Sequence, residues 1–146
     1  MLDKRELKGL IDRLLSLSSA EQSEISVYTT DSSLTRFANN EIHQNVSHRD
    51  SSVVVKAGHG RRYGIATTND LSDSGLQAVA NRASEIAQAL PESEEFLPLP
   101  DPQDIRQTDG YSLATAEFGP LQRAAGVRVI CERARERGLT AAGAFM

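Results

Sequence analysis

Near the start of the chain the apolar positions recur with a helical period. Leu7, Leu10, Ile11 and Leu14 fall at i, i+3, i+4 and i+7 and make one stripe. Asp3 with Glu6 three residues on has the spacing of a capping box, so a helix is expected to start there and to fade around Ser16 to Ser19. From Ser23 to Thr68 the period drops to two. ISVYTT (Ile25 to Thr30) alternates apolar and polar residues, and SSVVVKAG (Ser51 to Gly58) is rich in β-branched side chains. RRYGIATT (Arg61 to Thr68) follows a Gly-His-Gly turn and predicts a hairpin with the run before it. Between these, LTRFA and EIHQNV flank Asn39-Asn40, a pair able to adopt the left-handed conformation of a two-residue hairpin turn. The sum is an antiparallel meander of about five strands.

Two further helices follow. Ser72 is a good N-cap, Leu71 and Leu76 are spaced as a hydrophobic staple, and Leu76, Val79, Ala80, Ala83, Ile86, Ala87 and Leu90 form a continuous stripe that Pro91 ends. The last helix is expected from Pro120 to Arg137, with Gly138 as its C-terminal cap and Leu121, Ala124, Val127, Cys131 and Ala134 as its buried stripe. Residues 91–112 are acidic and punctuated by Pro98, Pro100 and Pro102. They read as an extended connector that Phe96, Leu97, Leu99 and Ile105 anchor. The fold class is therefore α+β, a meander packed against amphipathic helices. Residues 1–137 make one domain, and LTAAGAFM within 138–146 reads as the start of a following, truncated domain. The alternative is a terminus that pairs back into the same sheet.

Composition narrows the function. The chain has 146 residues, 39% of them hydrophobic and 5% aromatic, so its core is aliphatic. A net charge of -4 argues against general nucleic-acid binding, whose affinity comes mostly from basic surface. One cysteine, Cys131, excludes an intrachain disulfide. The charged N-terminus is no signal peptide and no apolar run could span a bilayer, so no membrane partner and a cytoplasmic location are expected.

The candidate chemistry is sparse. A two-residue turn at Asn39-Asn40 places Phe37, Ile42 and Val46 on the core face of the hairpin and Arg36, His43 and Asn45 on the other. Alternation alone accounts for that polar crowding. His43 and His48 lie five apart, which sends them to opposite faces of a straight strand, and the chain has no HExxH, HExxxH or CxxC, so no metal site is expected. No GxSxG is present, and Cys131 sits on an apolar stripe, so no catalytic residue is assigned. GHGRRYG has glycine-loop spacing without a helix behind it. Arg36, His43, Asn45, Arg61 and Arg62 remain as candidate binding residues, a basic sheet face for an anionic group.

The run TRFANNEIHQNV, then GRRYGIATTNDLSDSGLQAVANRASEIA, then the late helix into GLTAAGAF, resembles the N-terminal domain of the TldD/PmbA family, also called modulator of DNA gyrase. The resemblance implies a cytoplasmic peptidase system in which two subunits pair, as a homodimer or with a TldD/PmbA paralogue, and act on peptides. It also implies that an HExxxH helix binds zinc in TldD-like members, whereas PmbA-like members lack that motif. The motif lies beyond the region this chain resembles. No catalytic residue and no zinc ligand is thus carried onto it, and the parent type stays open. The expected role is a non-catalytic domain that shapes a peptide channel or a subunit interface. The alternative is a stand-alone module that recognises an anionic partner or nucleic acid through its basic sheet face.

Overall fold

The Asp3 capping box forms as its spacing predicts. Asp3 Oδ1 accepts from the backbone N–H groups of Arg5 and Glu6 at 2.7 and 2.8 Å, and Glu6 Oε2 accepts from Asp3 N–H at 2.7 Å. The structure, a computed structural model, describes residues 2–101, 103, 104, 106 and 108–146. Pro102 and Ile105, which the connector reading uses, lie outside the described residues. The elements are α1 (Lys4–Leu17), β1 (Gln22–Ala38), β2 (Glu41–His59), β3 (Arg62–Thr68), α2 (Asp73–Ala89), α3 (Leu113–Ala116), α4 (Pro120–Glu136) and β4 (Gly143–Phe145). The strands form one antiparallel sheet in the order β3-β2-β1-β4, so the α+β class holds.

Among the described residues there are four strands rather than five. The polar runs at Asp31 to Ser33 and Ser47 to Asp50, expected to break the strands, are instead strand throughout. They pair across the ladder. Ser33 and Ser47 hydroxyls meet at 2.8 Å, and Arg49 Nη2 lies 2.6 Å from Asp31 Oδ2. Such cross-strand pairs hold a strand where hydrophobic alternation lapses. The two pairs of expected strands therefore fuse into β1 and β2, and β4 is added at the edge. It pairs antiparallel with β1, Thr35 opposite Phe145 and Phe37 opposite Gly143.

Two compact units divide the chain. The first comprises Met1–Thr30 and Asp50–Gln103. Its core takes Val53, Val55 and Ala57 from alternate positions of β2, Leu14 from α1, and Leu76, Val79 and Ala83 from α2. Burying each Val or Leu side chain fully contributes about 1.5–3 kcal/mol. Leu71 packs against this core beside Leu76, as the staple spacing predicts. At α2 the Ser72 hydroxyl accepts from Gly75 N–H at 3.2 Å. The Ser72 hydroxyl and amide hold the Asp70 carboxyl below its usual value. Gly64 of β3 is where α2 presses on the sheet. A Cβ there would lie 2.0 Å from the Ala83 carbonyl oxygen and 2.4 Å from the Ala87 nitrogen.

The second unit comprises Asp31–Arg49 and Asp104–Met146. Its core is Phe37, Val127 and Cys131, with Ala141 and Phe145 packed against it. Gly138, at φ 64°, ends α4 in a Schellman arrangement, with Gly138 N–H donating to Arg135 O at 3.0 Å and Leu139 N–H to Ala134 O at 2.8 Å. Two expectations fail here. Leu121 is 84% exposed and does not belong to the buried stripe of α4, and Ile42 is 43% exposed rather than enclosed with Phe37. The position on the helix that turns inward with Val127 and Cys131 is Arg123, only 5% exposed.

Candidate functional site

In the first unit the candidate residues Arg61 and Arg62 sit at the turn into β3. Gly60, at φ 57°, makes that turn, and His59 pairs with Arg62 across it. Both arginines hold the start of the connector. Arg61 Nε donates to Ser93 O at 3.2 Å and its Nη2 to Glu94 O at 2.7 Å, while Ser93 N–H returns a bond to Arg61 O at 3.0 Å. Arg62 Nη2 pairs with Glu92 Oε1 at 3.2 Å, leaving its Nε buried without a partner. Tyr63 completes the clamp. Its ring stacks on Phe96 with centroids 4.7 Å apart, Lys56 Nζ lies 4.3 Å from its centroid, and its hydroxyl donates to Leu97 O at 2.8 Å. The Leu97 side chain itself is 78% exposed, so its carbonyl, not its apolar group, anchors the connector. The cleft beside these groups measures about 480 Å³.

In the second unit the hairpin turn is as expected. Asn39 and Asn40 both have positive φ, 53° and 62°. A two-residue turn with left-handed backbone at both positions matches the twist of its strands. Asn40 does more than turn the chain. Its Nδ2 donates to Leu139 O at 2.9 Å, its Oδ1 accepts from Ala141 N–H at 2.7 Å, and its carbonyl accepts from Arg135 Nη2.

The expected face for Arg36, His43 and Asn45 is split. Arg36 and His43 are exposed, and Arg36 Nη1 donates to Gln44 Oε1 at 3.3 Å. Asn45 lies on the opposite face, with Thr35. Its Oδ1 accepts from Thr35 Oγ1 at 3.1 Å and from Arg123 Nη2 at 3.3 Å. Ile42 and Asn45, three apart in β2, both line cavities against α4 residues. A strand delivers that only where its alternation slips by one residue, as at a β-bulge. A register drawn from the turn alone misses the slip.

Arg123 is the residue that the sequence reading passed over. Beyond its bond to Asn45, its Nε donates to Thr35 Oγ1 at 3.3 Å and its Nη1 to Phe118 O at 2.8 Å. All three partners are neutral. Among the described residues no carboxylate lies within salt-bridge distance of it, although ion pairs are formed elsewhere, as at Arg62 and Glu92. The signal was in the sequence. Arg123 stands four residues before Val127 and eight before Cys131, in line with the buried stripe.

No metal-binding constellation is formed here. Among the described residues, no three His, Cys, Asp or Glu side chains come together. Likewise, among those residues, no helix is long and apolar enough to cross a membrane.

Comparison with known proteins gives these arrangements a context. Residues 23–87 match the family described as PmbA/TldA metallopeptidase domain 1. No curated protein matches the chain. Among solved structures, TldE from Thermococcus kodakarensis superposes with a TM-score of 0.75 at 18% identity, over 90% of this chain and 29% of that one. A candidate modulator of DNA gyrase from Bacteroides thetaiotaomicron gives 0.73 at 17% identity, over 92% and 32%. A like protein from Thermotoga maritima gives 0.64 at 18% identity, over 84% and 28%. At these identities the likeness is one of fold, and the chain spans roughly a third of the length of each structure.

Proposed function

We propose, from the match of residues 23–87 to a first domain of the TldD/PmbA family, that this chain is a non-catalytic part of a peptidase of that type. Its role is to shape the peptide channel or to contribute to the interface between two subunits, identical or paralogous, in the cytoplasm. The observation that carries the reading is the family match itself, to a domain of a metallopeptidase. The three histidines are His43, His48 and His59, and no metal-ligating group gathers around any of them among the described residues. Among the described residues no cluster fits a zinc site, and the proposal assigns zinc chemistry to no residue of this chain. The interface half draws support from α4. Its Leu121, Val129 and Ile130 are exposed at 84%, 57% and 44%, and a groove of about 630 Å³ runs between Ile42 and this helix. Of these, Leu121 lines the groove together with Ile42, and exposed apolar groups along a groove mark association surfaces.

The rival reading, a module that captures an anionic partner or nucleic acid with Arg61 and Arg62, has less support. Those guanidinium groups are engaged with the connector, and Arg49 with Asp31. The deciding experiment is an assay of the purified 146-residue chain for peptide cleavage, alongside metal analysis. We expect no cleavage of an unstructured protein substrate and less than stoichiometric zinc. Zinc-dependent turnover by this chain alone would overturn the proposal.

A further inference from the structure

The cavity beside Arg123 belongs entirely to the second unit and measures about 330 Å³. Ser33, Asn45 and Ser47 of the hairpin line it, together with Glu117, Gly119 and Arg123 from the α3–α4 side. A guanidinium has five N–H donors. Three of Arg123's are committed, to Thr35, Phe118 and Asn45. One N–H on each terminal nitrogen is left over. Asn45 accepts through Oδ1 from both neighbours, so its amide group turns its Nδ2 donors away from Thr35 and Arg123. The serine hydroxyls at 33 and 47 bond to each other, so one of their two protons remains available. Leaving a charge 95% buried without a counter-charge is costly. The lining thus gathers hydroxyl and amide groups beside Arg123, and the one carboxylate in the same cavity, Glu117, does not reach it within salt-bridge distance.

We infer that this cavity binds a carboxylate, which completes the charge of Arg123 by a paired hydrogen bond. The planar fork of a guanidinium matches a carboxylate's two oxygens. A monoanion fits better than a phosphate dianion, because the site offers one positive charge and Glu117 lines the same cavity. That a peptide brings the carboxylate, as its C-terminus or as an acidic side chain, rests on the functional reading above. Arg36, His43, Arg61 and Arg62, the basic groups visible in the sequence, take no part in it.

The test uses the 146-residue chain and amide-resolved NMR titration. N-acetyl-trialanine as free acid is compared with its amide, N-acetyl-Ala-Glu-Ala-amide with its Gln counterpart, and acetate and inorganic phosphate are titrated alone. The expectation is saturable binding of at least one acid in the millimolar range, with shifts at Ser33, Asn45, Ser47 and Gly119. The matching neutral peptide should bind about tenfold or more weakly. Which acid binds tells terminus from side chain. Acetate binding as tightly as either peptide would support the carboxylate site while sinking the view that a peptide delivers it. Equal binding of acid and neutral forms, no saturable shifts, or phosphate binding tighter than every carboxylate would overturn the inference. Asn45→Asp guards against a variant that fails to fold. It keeps both hydrogen bonds and supplies an internal counter-charge, so it should raise Tm and abolish acid binding. Unchanged affinity in Asn45→Asp would count equally against the site.

Discussion

Single residues set limits that no helical wheel displays. Gly64 lacks a side chain because the backbone of α2 occupies the space. With the carbonyl of Ala83 2.0 Å from where a Cβ would stand, the helix has to shift for even a methyl group. Gly64→Ala is expected to destabilise by about 1–3 kcal/mol, the usual cost of overpacking, read from the midpoint of urea denaturation. Asn40 makes a complementary case. Asn40→Gly retains the left-handed backbone but loses the bonds to Leu139 and Ala141. A loss of about 1–3 kcal/mol is expected, from two hydrogen bonds each worth roughly 0.5–1.5 kcal/mol net. A stability equal to the parent's would show that water replaces the amide without cost. The asparagine pair was legible in the sequence as a turn. Its second task was not, since Leu139 and Ala141 lie some hundred positions away and no local pattern connects them.

At the scale of elements, the helices were the legible part. Caps and stripes are local, and Asp3, Ser72 and Gly138 all act as their spacing suggests. Strands were less legible. Their polar middle stretches are held by partners across the sheet, such as Asp31 and Arg49, which periodicity cannot see. Helix α4 shows the limit of reading hydrophobicity alone. Leu121 was assigned to the core and Arg123 was passed over, yet the structure exposes the first and buries the second. The start of the connector is held by side-chain bonds to its carbonyls together with the expected anchor Phe96, which stacks on Tyr63. Arg61→Ala removes the two bonds to Ser93 and Glu94. Because they lie at the surface, global stability should move by less than about 1 kcal/mol. Hydrogen exchange at Ser93 to Leu97 should nevertheless accelerate. Unchanged exchange there would mean that the Tyr63–Phe96 stack alone holds the segment.

For the whole molecule, the α+β class and the likeness of residues 23–87 to a family domain were within reach of the sequence, whereas the burial of Arg123 showed only in the fold. The basic residues that stood out, Arg61 and Arg62, serve the architecture of their own unit. The more informative cation is the one in line with the buried apolar stripe of α4, Arg123. Function and structure compete for the same residue types, and only burial separates them. A surface arginine gains little from its partners, whereas an enclosed one needs them all.

The division into units has a consequence for biogenesis. Each unit is assembled from two separate stretches, and residues 31–49 are made well before Pro120–Glu136. As the chain leaves the ribosome, Phe37 and Thr35 emerge on a hairpin whose covering helix does not yet exist. Nascent hairpins of this kind expose both an apolar face and free strand edges, which favours aggregation. A ribosome stalled ahead of Pro120 would therefore hold a chain that invites chaperone binding at 31–49, and synthesis of α4 would release it.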